Sequence, residues 1–161
     1  MSEAKVPSVN LHPSDYVIIG GTGDLALRKI FPALFWRYLD GQITAQYRIV
    51  AASRRDMSVS DLAEQLRPFC EEGISNEVDW EGFLALISII PLDVKSGSGA
   101  SELATFIEKK ASAERPTIFY LAIAPSLFGD ATRLLKAAGL VSPQARLVVE
   151  KPLGHDGASS R

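Results

Sequence analysis

The segment from Tyr16 to Lys29, YVIIGGTGDLALRK, constrains the fold of this chain more than any other segment. It opens on an apolar, β-branched run, and three glycines follow within four residues. After them, apolar side chains recur at spacings of three and four as far as Tyr38, which predicts a helix. A glycine turn between a strand and a helix lets the backbone approach a pyrophosphate, and the helix start offers free N–H groups to it. The segment therefore predicts a nucleotide-binding turn at residues 20–26.

Two residues complicate this unit. A carboxylate at Asp24 would repel a pyrophosphate, so we interpret Asp24 as the helix N-cap, with its side chain turned away from the ligand. Arg28 and Lys29 follow one turn later and can supply positive charge. Pro32 has no backbone N–H and costs an interior helical turn about 3 kcal/mol, so we expect an irregular or kinked helix there.

Strand and helix patterns alternate along the whole chain. The predicted strands are 15–20, 47–52, 88–92, 117–124 and 146–150, and the predicted helices are 24–39, 57–73, 79–86, 103–113 and 126–139. This alternation predicts an α/β fold, a doubly wound, Rossmann-like parallel sheet with helices on both faces. We expect residues 15–150 to form this domain after a loose leader at 1–14. Ligands bind at the carboxyl ends of such strands, here residues 20–23, 53–55, 122–125 and 150–154.

The second strand ends in Ser53-Arg54-Arg55. NAD-binding units usually carry a carboxylate at this point, which holds the ribose 2′-hydroxyl. A guanidinium can instead pair with a 2′-phosphate through two parallel hydrogen bonds. The sequence therefore predicts NADP as the cofactor, with Arg54 as the first candidate for the phosphate. The alternative is a solvated surface pair, in which Asp56 binds one of the arginines.

The last predicted strand ends in Glu150-Lys151-Pro152. Charged side chains at the end of a buried strand need partners, and Lys151 is placed to point into the cleft where nicotinamide and substrate would meet. The alternative is an ordinary surface lysine. His155 lies between two glycines, which indicates an exposed loop rather than a proton acceptor.

Composition excludes several classes of partner. The formal net charge of −2 gives no general attraction to nucleic acid or to anionic membranes. No apolar run is long enough to span a membrane. The one cysteine, Cys70, cannot form an internal disulfide, which fits a reducing compartment, and we interpret it as a buried apolar residue. We therefore expect a cytoplasmic protein with no nucleic-acid or membrane partner.

Four segments together carry a family resemblance. They are GGTGDLALRK at 20–29, AASRR at 51–55, FYLAIAP at 119–125 and EKPLGHD at 150–156. With these segments in this order, the chain resembles the glucose-6-phosphate dehydrogenases over residues 15–161. It departs from them at Ala124, where many members carry the first proline of a pair.

The resemblance implies oxidation of glucose 6-phosphate to 6-phosphogluconolactone, with hydride transfer to NADP, in the pentose phosphate pathway. It implies that the glycine turn follows the pyrophosphate, that Lys29 and Arg54 serve the phosphate on the adenosine ribose, and that Lys151 is catalytic, touching both sugar and coenzyme. The implied coenzyme-binding residues are Gly20, Gly21, Thr22, Gly23, Asp24, Leu25, Lys29, Arg54, Ala122, Lys151 and Pro152.

The resemblance also implies that part of the enzyme is missing from this chain. In the family, a histidine in a later R-I-D-H-Y-type segment removes the proton, and no such segment occurs here. We therefore expect residues 151–161 to begin a truncated substrate domain and the chain alone to show no turnover. The full-length protein would be a homodimer or homotetramer. Two alternatives stay open, namely another sugar oxidoreductase with an EKP segment and a non-catalytic nucleotide-binding module.

Overall fold

The computed structural model describes residues 13–109 and 115–149. Its sheet is entirely parallel, with the strand order β3-β2-β1-β4-β5. The strands are β1 (Asp15–Ile19), β2 (Arg48–Ser53), β3 (Ile87–Pro91), β4 (Thr117–Leu121) and β5 (Ala145–Val149). The predicted parallel α/β sheet is confirmed. Because β1 pairs with both β2 and β4, the strand order reverses at β1, and a crevice opens there at the carboxyl ends.

Helices cover both faces of the sheet. The α-helices are α1 (Phe31–Leu39), α2 (Val59–Cys70), α3 (Glu77–Leu84), α4 (Ala100–Glu108) and α5 (Phe128–Ala137). Short 3-10 turns lie at Glu71–Gly73 and Pro125–Leu127. Alternate residues of β1 belong to the two core layers, Ile18 to the layer with α1, α2 and α3, and Val17 to the layer with α4 and α5. Burial on both faces explains why this strand reads as a continuous apolar run.

The first helix is irregular, as Pro32 predicts. Ala26–Ile30 forms a π-helical turn, in which the Phe31 N–H bonds to the Ala26 carbonyl, and Pro32 then lies in the first turn of α1. Proline has no N–H to donate, and its ring contacts the carbonyl four residues earlier in a regular helix. The wider π turn accommodates both properties.

The predicted helices and strands are all present with shifted ends: the predicted helices 79–86 and 103–113, for example, are observed at Glu77–Leu84 and Ala100–Glu108. Gly41 and Gly139 follow α1 and α5 with positive φ angles of 77° and 74°. Ser58 caps α2, and Pro91 ends the edge strand β3. β4 is shorter than predicted, because β1 turns away at Gly20 and leaves the residues after Leu121 without a strand on that side.

Cys70 is buried, as predicted, with 2% of its surface exposed. Burial raises the pKa of its thiol to about 12, so the thiol stays protonated at neutral pH. Among the residues described, no helix combines the length and the apolar character needed to cross a membrane.

An ion-pair network around the buried Asp15 joins the amino ends of three strands, and no local sequence pattern predicts it. Arg48 Nη2 lies 2.6 Å from Asp15 Oδ2, and Arg115 Nη2 lies 2.8 Å from Asp15 Oδ1. Arg48 also donates to the Phe106 carbonyl and stacks on the Phe106 ring. Burial by itself would raise the pKa of Asp15, but hydrogen bonds from both arginines and their positive charges hold that pKa below its usual value.

Candidate functional site

The glycine turn packs tightly between the carboxyl ends of β2 and β4. Gly20 has a φ of 87°, and a Cβ there would lie 2.3 Å from the Ala122 carbonyl oxygen. A Cβ at Gly21 would lie 2.7 Å from the Ala51 Cα. Both N–H groups donate to the Ala52 carbonyl, over 2.8 and 3.1 Å. Only glycine therefore fits at these two positions, and the turn lies where the strand order reverses.

Gly23 faces the open side of this turn. Its N–H donates to the Gly20 carbonyl at 3.0 Å, and a Cβ there would have one neighbour within 4 Å, the Gly20 oxygen at 3.3 Å. A side chain at Gly23 would consequently project into the cleft that this residue lines. Helical residues start at Asp24, and the first N–H groups of a helix have no carbonyl partner within it. The turn thus has the open backbone and the free donors that a pyrophosphate requires.

A buried hydroxyl pair connects the turn to the second strand. Thr22 Oγ1 lies 2.6 Å from Ser53 Oγ, and both side chains are buried. Ser53 Oγ also accepts the Arg55 N–H at 3.1 Å. The pair therefore fixes the start of the Arg54–Arg55 segment relative to the glycine turn. This bond between Ser53 and Thr22 was not predicted, because no local pattern in the sequence shows that residues 22 and 53 meet.

The carboxyl ends of β1 to β4 surround a cleft of about 640 Å³, a volume typical of small-molecule sites. Its lining contains six of the predicted site residues. These are Gly20, Thr22, Gly23, Asp24, Arg54 and Ala122. Arg54 and Arg55 are exposed, so their guanidinium groups are available to a ligand.

The other predicted site residues lie elsewhere. Gly21 is buried against β2, and Leu25 packs against the core layer of α1. Lys29 is exposed on the π-helical turn and is not among the residues that line the cleft. Lys151 and Pro152 lie outside the described residues, so their predicted roles stay predictions.

The interpretation of Asp24 as an N-cap is wrong. Asp24 is itself the first helical residue, and its carboxylate accepts from Arg28 Nε at 2.6 Å, with both side chains exposed. Residues four apart on a helix are neighbours, so Arg28 can pair with this carboxylate across one helical turn. Arg28 also lies over the Phe69 ring. Its guanidinium is therefore paired with Asp24 on the exposed side of the helix.

One wall of the cleft was not predicted from the sequence. Leu92, Asp93, Val94 and Lys95 follow β3 and line the cleft beside Arg54. A backbone hydrogen bond from Lys95, followed by bonds from Ser96 and the charge of Arg54, lowers the pKa of Asp93. The rule that pointed to the other strand ends applies equally to β3 and could have found this wall.

The glycine turn lies where the strand order of the parallel sheet reverses, and a cationic strand end lies beside it. These two features together define a dinucleotide-binding domain of the α/β class. Residues 17–161 match the family model described as "Glucose-6-phosphate dehydrogenase, NAD binding domain". The chain belongs to the glucose-6-phosphate dehydrogenase family. This result confirms the resemblance and favours this family over other sugar oxidoreductases.

Curated relatives and solved structures agree with this assignment. The chain is 37% identical to glucose-6-phosphate 1-dehydrogenase of Rhizobium meliloti, over 99% of the chain and 32% of that protein. It is 36% identical to the Mycolicibacterium smegmatis enzyme, over 92% of the chain and 31% of that protein. A glucose-6-phosphate dehydrogenase solved with glucose 6-phosphate has a TM-score of 0.76 and 34% identity, covering 91% of this chain and 32% of the other. The chain therefore spans about a third of the length of these relatives.

Proposed function

We propose that this chain is the NADP-binding part of a glucose-6-phosphate dehydrogenase, which oxidises glucose 6-phosphate to 6-phosphogluconolactone. The bound nicotinamide would accept the hydride from the sugar. The proposal extends to a cytoplasmic, homodimeric or homotetrameric protein of the pentose phosphate pathway. Because the chain covers about a third of its relatives, we expect it to bind coenzyme without turning over substrate.

One observation carries the cofactor proposal. Arg54 follows β2 directly, and it lies exposed in the same cleft as the glycine turn. The Thr22–Ser53 hydroxyl pair fixes the distance between the turn and the strand end. A dinucleotide whose pyrophosphate lies on the turn would then extend its adenosine ribose towards Arg54. A guanidinium at that point favours a 2′-phosphate, which a carboxylate would repel.

The residues of the chain divide the binding task. Gly20 and Gly23 shape the turn for the pyrophosphate, and Ala122, opposite Gly20, borders the nicotinamide side of the cleft. Lys29 is proposed as an outer cation that contributes less than Arg54, since it does not line the cleft. The family resemblance assigns Lys151 to the sugar and the coenzyme, and Pro152 to the position of the nicotinamide.

Calorimetric titration of the 161-residue chain with NADP and NAD tests the proposal. We expect NADP to bind more tightly, and Arg54→Ala to reduce this preference about tenfold, a change of about 1.4 kcal/mol. Arg37→Ala is the matched control, because Arg37 is an exposed arginine outside the cleft that bonds to Gln42. It should leave both affinities unchanged. Equal binding of the two coenzymes by the unmodified chain would contradict the NADP assignment.

A further inference from the structure

The loop after β3 is a compact turn that displays Lys95 in the cleft. Asp93 Oδ1 accepts the Lys95 N–H at 2.9 Å. The Asp93 N–H donates to the Ser98 carbonyl at 2.9 Å, and the Gly97 N–H donates to the Asp93 carbonyl at 2.8 Å. These bonds close the loop around Lys95, whose exposed side chain lines the cleft.

The same loop is fixed to the strand that carries Arg54. Ser53 and Pro91 are paired in register, and the Leu92 N–H donates to the Ser53 carbonyl at 2.8 Å. Arg54 and Lys95 therefore emerge from adjacent strand ends on one wall of the cleft. This wall carries three cationic side chains (Arg54, Arg55 and Lys95) and the Asp93 carboxylate, so its net charge is positive. One oxygen of Asp93 also accepts the Lys95 N–H within the turn.

We propose that Lys95 is a specificity-determining residue, which binds the monoester phosphate on the adenosine ribose together with Arg54. This inference rests on the proposed coenzyme function and adds a residue from a different strand end. A phosphate monoester carries a charge of about −1.5 to −2 at neutral pH, more than one guanidinium neutralises. Arg54 offers a planar fork to two oxygens, while the Lys95 ammonium acts as a point charge that can reach a third.

The test compares two fragments that differ only in this phosphate. Adenosine 2′,5′-bisphosphate and adenosine 5′-monophosphate are titrated into the 161-residue chain and into Lys95→Met, which keeps the length of the side chain. We expect the bisphosphate affinity to fall about fivefold in Lys95→Met, and the monophosphate affinity to stay the same. The difference in bisphosphate affinity between the unmodified chain and Lys95→Met should also decrease as salt is added, because salt screens charges in a cleft that is open to solvent.

Lys136→Met is the matched control, since Lys136 is exposed on α5 and does not line the cleft. It should bind both fragments like the unmodified chain, and all three proteins should unfold at the same urea concentration. An unmodified chain that prefers the bisphosphate, with Lys95→Met retaining the full preference, would overturn the role of Lys95 and leave the proposed function intact. An unmodified chain without any preference would overturn both.

Discussion

The two ends of the parallel sheet use arginine in opposite ways. At the amino end, Arg48 and Arg115 are part-buried, with 12% and 11% of their side chains exposed, and both bond to the buried Asp15. At the carboxyl end, Arg54 and Arg55 are exposed along an open cleft. A buried guanidinium with a carboxylate partner holds strands together, whereas an exposed one is available to a ligand. The role of a charged residue is therefore indicated by its surroundings rather than by its type.

Removal of the Asp15 carboxylate at the amino end of the sheet should cause the largest loss of stability. Asp15→Ala leaves two part-buried guanidinium groups without their buried carboxylate partner, so we expect the free energy of unfolding to fall by about 4 kcal/mol. Urea denaturation measures this change. Asp130→Ala is the control, because its partner Arg133 is largely exposed, and it should cost less than about 1 kcal/mol. Equal costs for the two variants would show that the network does not stabilise the sheet.

A methyl group in the glycine turn should have the next largest effect. Gly20→Ala brings a Cβ against the Ala122 carbonyl and also forces alanine into a left-handed conformation. We therefore expect the free energy of unfolding to fall by about 3 kcal/mol and coenzyme binding to weaken. Gly41→Ala has a similar φ but no neighbour within 4 Å of the added atom. Thermal unfolding should show a loss of about 1 kcal/mol for that variant. If both variants lose the same stability, the contact with Ala122 is not tight.

The hydroxyl pair should give the smallest of these effects. Thr22→Val keeps the shape of the side chain but removes its bond to Ser53, which should cost about 1 kcal/mol of stability and weaken NADP binding. Thr132→Val is the control, since the exposed Thr132 donates to a carbonyl of its own helix. Unfolding curves and calorimetry of the two variants test the prediction. Normal NADP binding by Thr22→Val would show that the pair is not needed to place Arg54.

The carboxyl end was largely predictable from the sequence, and the amino end was not. Glycines 20, 21 and 23 stand in a local pattern between a strand and a helix, and Arg54 follows a strand at a known spacing from them. Asp15, Arg48 and Arg115 are separated by 33 to 100 positions, so no local pattern relates them. The interpretation of Asp24 as an N-cap was wrong for a different reason. Two local partners, the backbone donors and Arg28, were both within reach, and the sequence did not rank them.

Local sequence patterns alone set the alternation of strands and helices, the irregular turn before Pro32 and the position of the glycine turn. These features depend on side-chain periodicity and on the backbone limits of glycine and proline, which act over a few residues. Tertiary structure is needed to bring Thr22 to Ser53, Lys95 to the wall of Arg54, and Asp15 to its two arginines. Such contacts depend on strand order and register, which bring distant parts of the chain together when both faces of the sheet are buried.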